Sequence, residues 1–155
     1  FVIRVPFKID LDADKREESK DVSEKSIKGM HVLLAEDNEL NMEIAEFLLQ
    51  NEGAEVTKAW NGQEIVELFR KSEAGEFDVI LMDIMMPIIN GYEAAKRIRS
   101  LDREDAKKIP IIAMTANAFT EDRIRAKEAG MDEHVAKPID VELLIKVIHK
   151  LVKHN

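Results

Sequence analysis

The sequence contains no cysteine. Disulfide frameworks, thiolate metal centres and a cysteine nucleophile are therefore excluded together. No apolar run approaches the ~18 residues of a membrane-spanning helix, so no membrane contact is expected of this segment. A basic excess is missing too: 23 Lys and Arg stand against 31 Asp and Glu, a formal net charge of −8. That balance argues against a nucleic-acid partner and suits a chain that gathers a cation or meets a basic partner. No Gly-x-x-x-x-Gly-Lys-Ser/Thr run occurs, which removes P-loop nucleotide hydrolysis. An initiator methionine and a signal-peptide pattern are also absent, and the chain reads as a piece of a longer one.

What is present fits one ordinary domain. The 155 residues are 45% hydrophobic and 35% charged, a globular balance with enough apolar surface for a core. Residues 1–9 alternate apolar and polar positions around Pro6 and read as a strand without a local partner. Residues 10–29 hold 12 charged side chains in 20 positions without apolar periodicity, the composition of a linker. Basic and acidic residues cancel over 1–29, so the whole excess of acid belongs to residues 30–155, the expected folded domain.

Within that domain short apolar runs alternate with helical periods. Strands are predicted at 31–35, 55–59, 77–82, 109–114 and 134–136. The first helix is predicted to present Leu40, Ile44 and Leu48, with Phe47 beside them, as its apolar side. The second carries Ile65, Val66, Leu68 and Phe69, the third Ala94, Ala95 and Ile98, and the fourth runs from Glu121 to Ala129. Asp140 caps a fifth, with Leu143, Leu144, Val147, Ile148 and Leu151 on its apolar side. Five strands alternating with five helices through short loops predict an α/β doubly wound parallel sheet. Ligands in such sheets bind beyond the carboxyl ends of the strands, near the switch point in strand order.

Chemistry-bearing residues collect at those ends. Glu36 and Asp37 follow the first strand, Asp83 the third and Thr115 the fourth, and Lys137 follows the fifth. A single acid at a strand end usually caps a helix or faces water. Asp83 resists that reading, because apolar residues flank it on both sides and a carboxylate so placed needs a partner or a task. Three carboxylates in one pocket repel unless a cation sits among them, and hard oxygen donors select Mg²⁺ or Mn²⁺ over zinc or copper. An acidic pocket holding Mg²⁺, a lysine and a hydroxyl suits a phosphoryl group, with Asp83 as the nucleophile that takes it as an acyl phosphate.

The residues that carry this chemistry also carry a resemblance. The motifs are Leu34-Ala-Glu-Asp-Asn-Glu-Leu-Asn41, Met82-Asp-Ile-Met-Met-Pro87 with Gly91, Met114-Thr-Ala-Asn-Ala-Phe119, Ala129-Gly-Met-Asp132 and Ala136-Lys-Pro-Ile-Asp140. Together they make residues 30–155 resemble the receiver domain of two-component response regulators, most closely receivers fused to hybrid sensor histidine kinases. Residues 1–9 are similar, more weakly, to the last strand of the kinase ATP-binding domain that precedes such a receiver.

The resemblance implies a flavodoxin-like (βα)5 fold with strand order 2-1-3-4-5. It implies that Asp83 is the phosphoacceptor, Asp37 a direct Mg²⁺ ligand, Glu36 a ligand through water and the Met85 carbonyl the third protein ligand. Thr115 and Lys137 would hold phosphoryl oxygens, and Pro138 would be a cis-proline. Thr115 would swing toward the phosphate with an aromatic on the fifth strand behind it; that position is His134 here. The loop Ile88-Ile-Asn90 also departs from the usual Met-Asp wording. The donor would be the phosphohistidine of a kinase dimerisation domain or of a separate histidine phosphotransfer protein. Asn38, Leu40 and Asn41 with the Pro138-Ile139 loop are expected to dock it. The domain would catalyse transfer to its own aspartate and slow dephosphorylation, in a cytoplasmic setting. The alternative is a haloacid-dehalogenase-type phosphatase, which also forms an aspartyl phosphate with Mg²⁺. Such enzymes carry a second acid where this chain has Met85. A flavodoxin-like FMN binder would share the fold, but three acids would repel its phosphate.

Overall fold

The computed structural model describes residues 27–116 and 120–153. The expected strand at 1–9, residues 10–26 of the expected linker and residues 117–119 of the Thr115 loop lie outside the described residues. Chain order is β1 (His31–Ala35), α1 (Glu39–Asn51), β2 (Glu55–Ala59), α2 (Gly62–Lys71), β3 (Val79–Asp83), α3 (Gly91–Arg99), α4 (Glu104–Lys108), β4 (Ile111–Thr115), α5 (Thr120–Glu128), β5 (Glu133–Ala136) and α6 (Val141–Lys153). The strands form one parallel sheet in the order β2-β1-β3-β4-β5. The chain crosses from β2 over β1 to β3, so the strand order reverses between β1 and β3, where ligand crevices form in open sheets.

Period-2 alternation divides the sheet into two apolar faces. Val32, Leu34, Val79, Leu81, Ile112 and Met114 pack with Met42, Ala45 and Leu49 of α1 and with Leu144 and Ile148 of α6. Leu33, Ile80, Met82, Ile111 and Ala113 pack against α2, α3 and α5 on the other side. β3 and β4 are buried along their whole length, as central parallel strands covered on both faces must be.

Several boundaries differ from the sequence reading, each for a physical reason. β3 begins at Val79, because at Asp78 the side-chain carboxylate takes the His31 amide at 2.7 Å, although the Asp78 amide still donates to the His31 carbonyl at 2.8 Å. β4 begins at Ile111, after Pro110, which has no amide to donate to a ladder. A sixth helix, α4, follows α3; it is five residues long, too short to announce itself by periodicity. Ile27, placed in the linker by composition, is fully buried beside α1 and α6, so the folded unit reaches back at least that far.

The largest difference concerns α1. Its buried residues are Met42, Ala45 and Leu49, whereas Leu40, Ile44 and Phe47 are 64%, 47% and 67% exposed. Both sets have helical spacing. The Asn38 side chain accepts from the Asn41 amide and fixes where the helix starts, but the choice between the two stripes falls to docking on the sheet, where Met42, Ala45 and Leu49 meet Val32, Leu34, Val79 and Leu81. On α6 the buried pair is Leu144 and Ile148, and Leu143 points outward.

Ala126 of α5 and Ala129 and Met131 after it are buried in the core, and polar contacts add to their hold. The Arg125 guanidinium lies 4.4 Å from the centroid of the Tyr92 ring on α3. Burial pushes the Tyr92 phenol up, and the neighbouring Asp122 carboxylate pushes it further. After α5, Arg99 holds the approach to β5 by donating to the Gly130 and Ala106 carbonyls and to Asp132.

Candidate functional site

The site forms where β1, β3, β4 and β5 deliver their last residues. The Glu36 amide donates to the Ala59 carbonyl, extending the β1–β2 ladder by one bond and leaving Glu36 buried at the strand end. Asp37 follows it, exposed. Asp83 closes β3 and is buried; Thr115 closes β4 and is buried. The Lys137 amide donates to the Thr115 carbonyl at 2.8 Å, which fixes the start of the last loop beside β4. The Lys137–Pro138 peptide is cis, as the resemblance implied.

One oxygen from each of Glu36, Asp37 and Asp83 lies within 4.8 Å of the others. Lys137 reaches into the same space, its Nζ 2.8 Å from Glu36 Oε2 and 3.0 Å from Asp83 Oδ1. The second Glu36 oxygen, Oε1, accepts from the Asn38 amide at 3.1 Å. Burial pushes the Asp83 carboxyl up to about 6. The Lys137 hydrogen bond opposes that rise and the charge of Glu36 adds to it. Burial works against the Lys137 ammonium, but its bonds to Glu36 and Asp83 outweigh burial and leave it raised.

Three carboxylates against one ammonium leave a local formal charge of −2, with hard oxygen donors and no imidazole or thiolate among them. That donor set fits a small divalent cation such as Mg²⁺.

The loop from Ile84 to Asn90 arches beside Asp83. Its base is closed by the Gly91 amide donating to the Ile84 carbonyl at 2.8 Å. A Cβ at Gly91 would lie 2.5 Å from the Asp83 carbonyl oxygen, so glycine is what lets α3 start against the end of β3. Ile84 and Met86 are buried, while Met85 is 78% exposed. Ile88 has φ +73°, the left-handed region, where a β-branched side chain costs about 1–3 kcal/mol.

The other residues singled out from sequence fall in two places. A groove lined by Glu36, Asn41, Ile44, Lys137, Pro138 and Ile139 leads from the acidic pocket along α1. Asn38 and Leu40, at the start of α1, stand beside it. Sequence reasoning missed Ile44 and Phe47 as surface residues, because it spent them on the core. Their signal was the second apolar stripe, Met42-Ala45-Leu49. His134 is half-buried and lines a separate groove with Arg123, Lys127 and Met131, between α5 and β5. Its Cα pairs with that of Ala113, and Thr115 pairs with Ala136, so His134 and Thr115 share one face of the sheet two residues apart.

A parallel doubly wound domain with an acidic pocket and a lysine at its switch point belongs to the class that manages phosphoryl groups on a sheet edge. The particular family is shown by comparison. Residues 32–149 match the model of the response regulator receiver domain, and the chain belongs to that family. It is 34% identical over 161 residues to Histidine kinase 1 of Arabidopsis thaliana, covering 84% of this chain and 13% of that protein. It is 40% identical over 120 residues to Hybrid signal transduction histidine kinase I of Dictyostelium discoideum, covering 76% of this chain and 7% of that protein. The chain thus spans a small fraction of the length of these two relatives.

Among solved structures it resembles the receiver domain of a sensor histidine kinase from Pseudomonas aeruginosa, which has a magnesium ion coordinated in its active site cleft. The TM-score is 0.72 at 34% identity, over 81% of this chain and 98% of that one. It also resembles, at TM-score 0.70 and 28% identity over 81% and 90%, a chain of the complex between the Saccharomyces cerevisiae histidine phosphotransfer signaling protein Ypd1 and the receiver domain of Ssk1. The chain is a receiver domain of two-component phosphorelay signalling, and the dehalogenase-type phosphatase reading finds no support.

Proposed function

We propose that Asp83 accepts a phosphoryl group from a phosphohistidine on a partner protein, at a site that Asp37, Asp83 and the Met85 carbonyl complete by holding Mg²⁺. The supporting observation is the convergence of three carboxylates and Lys137 within hydrogen-bonding reach at the carboxyl end of β3. An Asp83 oxygen attacks phosphorus while the bond from phosphorus to the imidazole nitrogen breaks, and the electron pair stays on the ring. Lys137 already pairs with Asp83 and is placed to follow the charge onto a phosphoryl oxygen, with the Thr115 hydroxyl taking a second. When bound, Mg²⁺ supplies the positive charge that three carboxylates and one ammonium leave unmet. Glu36 is engaged at both oxygens, by Lys137 and by the Asn38 amide, which favours contact with the ion through water. His134, on the Thr115 face, is the residue through which the switch would reach the α5–β5 groove. The α1 stripe Leu40–Ile44–Phe47, with Asn38, Asn41, Pro138 and Ile139, forms the docking surface for the histidine-bearing partner. The parent chain is a hybrid histidine kinase; residues 1–9 are the end of its ATP-binding domain, and the linker that follows ends before Ile27, which is buried in the receiver core.

The test is direct. Incubation with Mg²⁺ and a small phosphodonor, followed by peptide mass mapping, should place the added phosphoryl on Asp83 and show none in Asp83→Ala. Equal labelling of that variant, or labelling elsewhere, contradicts the assignment.

A further inference from the structure

Gly62 opens α2 in an ordinary helical conformation, which gives glycine no backbone reason to stand there. The reason is a neighbour. A Cβ at Gly62 would lie 2.2 Å from the Ile89 carbonyl oxygen, 2.7 Å from Ile89 Cγ1 and 3.0 Å from the Ile89 carbonyl carbon. The loop between β3 and α3 therefore rests its far side directly on the first turn of α2. Neither party can move aside. The Asn61 side chain accepts from the Glu64 amide at 2.7 Å, and the Glu64 carboxylate accepts from the Trp60 amide at 3.0 Å, so side-chain caps lock the start of α2. Ile65 and Phe69 hold the rest of α2 in the core, and Ile89 packs against the same core.

The loop is short and most of its joints are stiff. At its base the Gly91 amide donates to the Ile84 carbonyl at 2.8 Å, and Gly91 packs on the Asp83 carbonyl. The ring of Pro87 fixes its φ, and Ile88 already stands at φ +73°, in a narrow allowed region. A carbon and a carbonyl oxygen rarely approach within about 3.3 Å, so a methyl group at Gly62 would drive Ile89 back by about 1 Å. Pro87 and Ile88 absorb little of that, and the displacement passes to Met85 and Met86, next to Asp83. Met86 is held by burial, whereas the Met85 side chain is exposed and anchors nothing. The Met85 carbonyl is the third metal ligand in the reading above. We infer that Gly62 is a positioning residue for the metal site: its missing side chain lets α2 hold the β3–α3 loop where the Met85 carbonyl meets the ion. The inference rests on that reading of Met85, and it adds a residue from a different element than any group assigned to the ion.

The test compares the full 155-residue chain with its Gly62→Ala and Ile89→Ala variants; the second frees the loop from the core and leaves α2 unchanged. Dissociation constants for Mg²⁺ and Ca²⁺ are measured by calorimetric titration, well below each variant's melting temperature. Mg²⁺ demands near-octahedral oxygens at close range, whereas Ca²⁺ accepts longer and less regular coordination, so a displaced carbonyl costs the two ions unequally. Gly62→Ala should weaken Mg²⁺ binding about tenfold or more, and Ca²⁺ binding by no more than about threefold. Ile89→Ala should weaken the two ions in the same order. Unchanged Mg²⁺ affinity in Gly62→Ala overturns the inference. An equal loss for both ions does so too, because a loosened fold and not a displaced ligand would then be the cause. Should Gly62→Ala fail to fold, Ile89→Ala decides by the same two criteria. If the unmodified chain binds neither ion, or Asp37→Asn binds Mg²⁺ as well as the unmodified chain does, the metal-site reading itself fails, which is a distinct result.

Discussion

Asp83 is a residue whose burial costs stability. Its carboxyl sits at about 6 against an ordinary 3.8, chiefly because burial penalises the charged form. The folded state therefore binds this proton more tightly than the unfolded chain does. Stability falls as the pH rises from 3.8 to about 6, and the cost is fully present above that window. In metal-free protein, Asp83→Asn should accordingly melt higher than the unmodified chain at pH 7, by up to about 3 kcal/mol, or several degrees. The gap should shrink as the pH falls below 6 and close near pH 3.5, where both forms are neutral; paired melting curves from pH 3.5 to 7.5 check it. A gap that widens on acidification would mean that Lys137 more than offsets the burial. Lys137 cannot neutralise both acids it touches, and the residual negative charge is what prepares the pocket for a divalent cation.

Two elements carry testable roles. α1 serves the core with one stripe and leaves Leu40, Ile44 and Phe47 to solvent, along the side that borders the groove to the acidic pocket. Leu40→Asp should therefore slow transfer from a phosphohistidine protein by about tenfold, as loss of one buried leucine contact would. It should leave small-donor phosphorylation and the melting temperature nearly unchanged; a parallel loss of fold would show that Leu40 is structural. α5 is held differently. Among the described residues of this helix only Ala126 is buried, and the cation–π contact from Arg125 to Tyr92 is a principal tie to α3. Such a contact is worth about 0.5–1 kcal/mol, so Arg125→Ala should speed amide exchange in α5 roughly two- to fivefold. β3 amides should not change. Equal acceleration in both elements would indicate global rather than local loosening. A lightly held helix after the Thr115 loop is the kind of element whose packing a phosphoryl group can bias.

At the scale of the molecule, an ion that binds only the folded chain must raise its stability by mass action, by about 2.7 kcal/mol at a concentration a hundredfold above Kd. Mg²⁺ should therefore raise the melting temperature and a chelator should reverse the gain. The same shift ranks the acids. Asp37→Asn should abolish most of the Mg²⁺-dependent gain, while Glu36→Gln should keep a larger part, because both Glu36 oxygens are already taken by Lys137 and the Asn38 amide. Equal losses would place Glu36 in direct contact with the ion. The excess of acid across the folded domain adds to this local pull by drawing cations toward it generally.

Much of this arrangement was legible in one dimension. Strands buried on both faces must be apolar nearly throughout, so β1, β3 and β4 stand out, and short loops between alternating elements force parallel pairing. The strand-end acids, Thr115 and Lys137 could then be placed at one edge, because a parallel sheet sends all its carboxyl ends the same way. The strand order was carried by the family resemblance, since alternation alone does not say which strand lies beside which. Three further things waited for the tertiary structure. The inward side of α1 was undecided because Leu40-Ile44-Phe47 and Met42-Ala45-Leu49 have equally good helical spacing, and only docking onto the sheet selects between them. Ile27 lay hidden in a charged stretch because one apolar residue has no period. The strain at Ile88 comes from the closures at Gly62 and Gly91 around it, long-range constraints that no local pattern records.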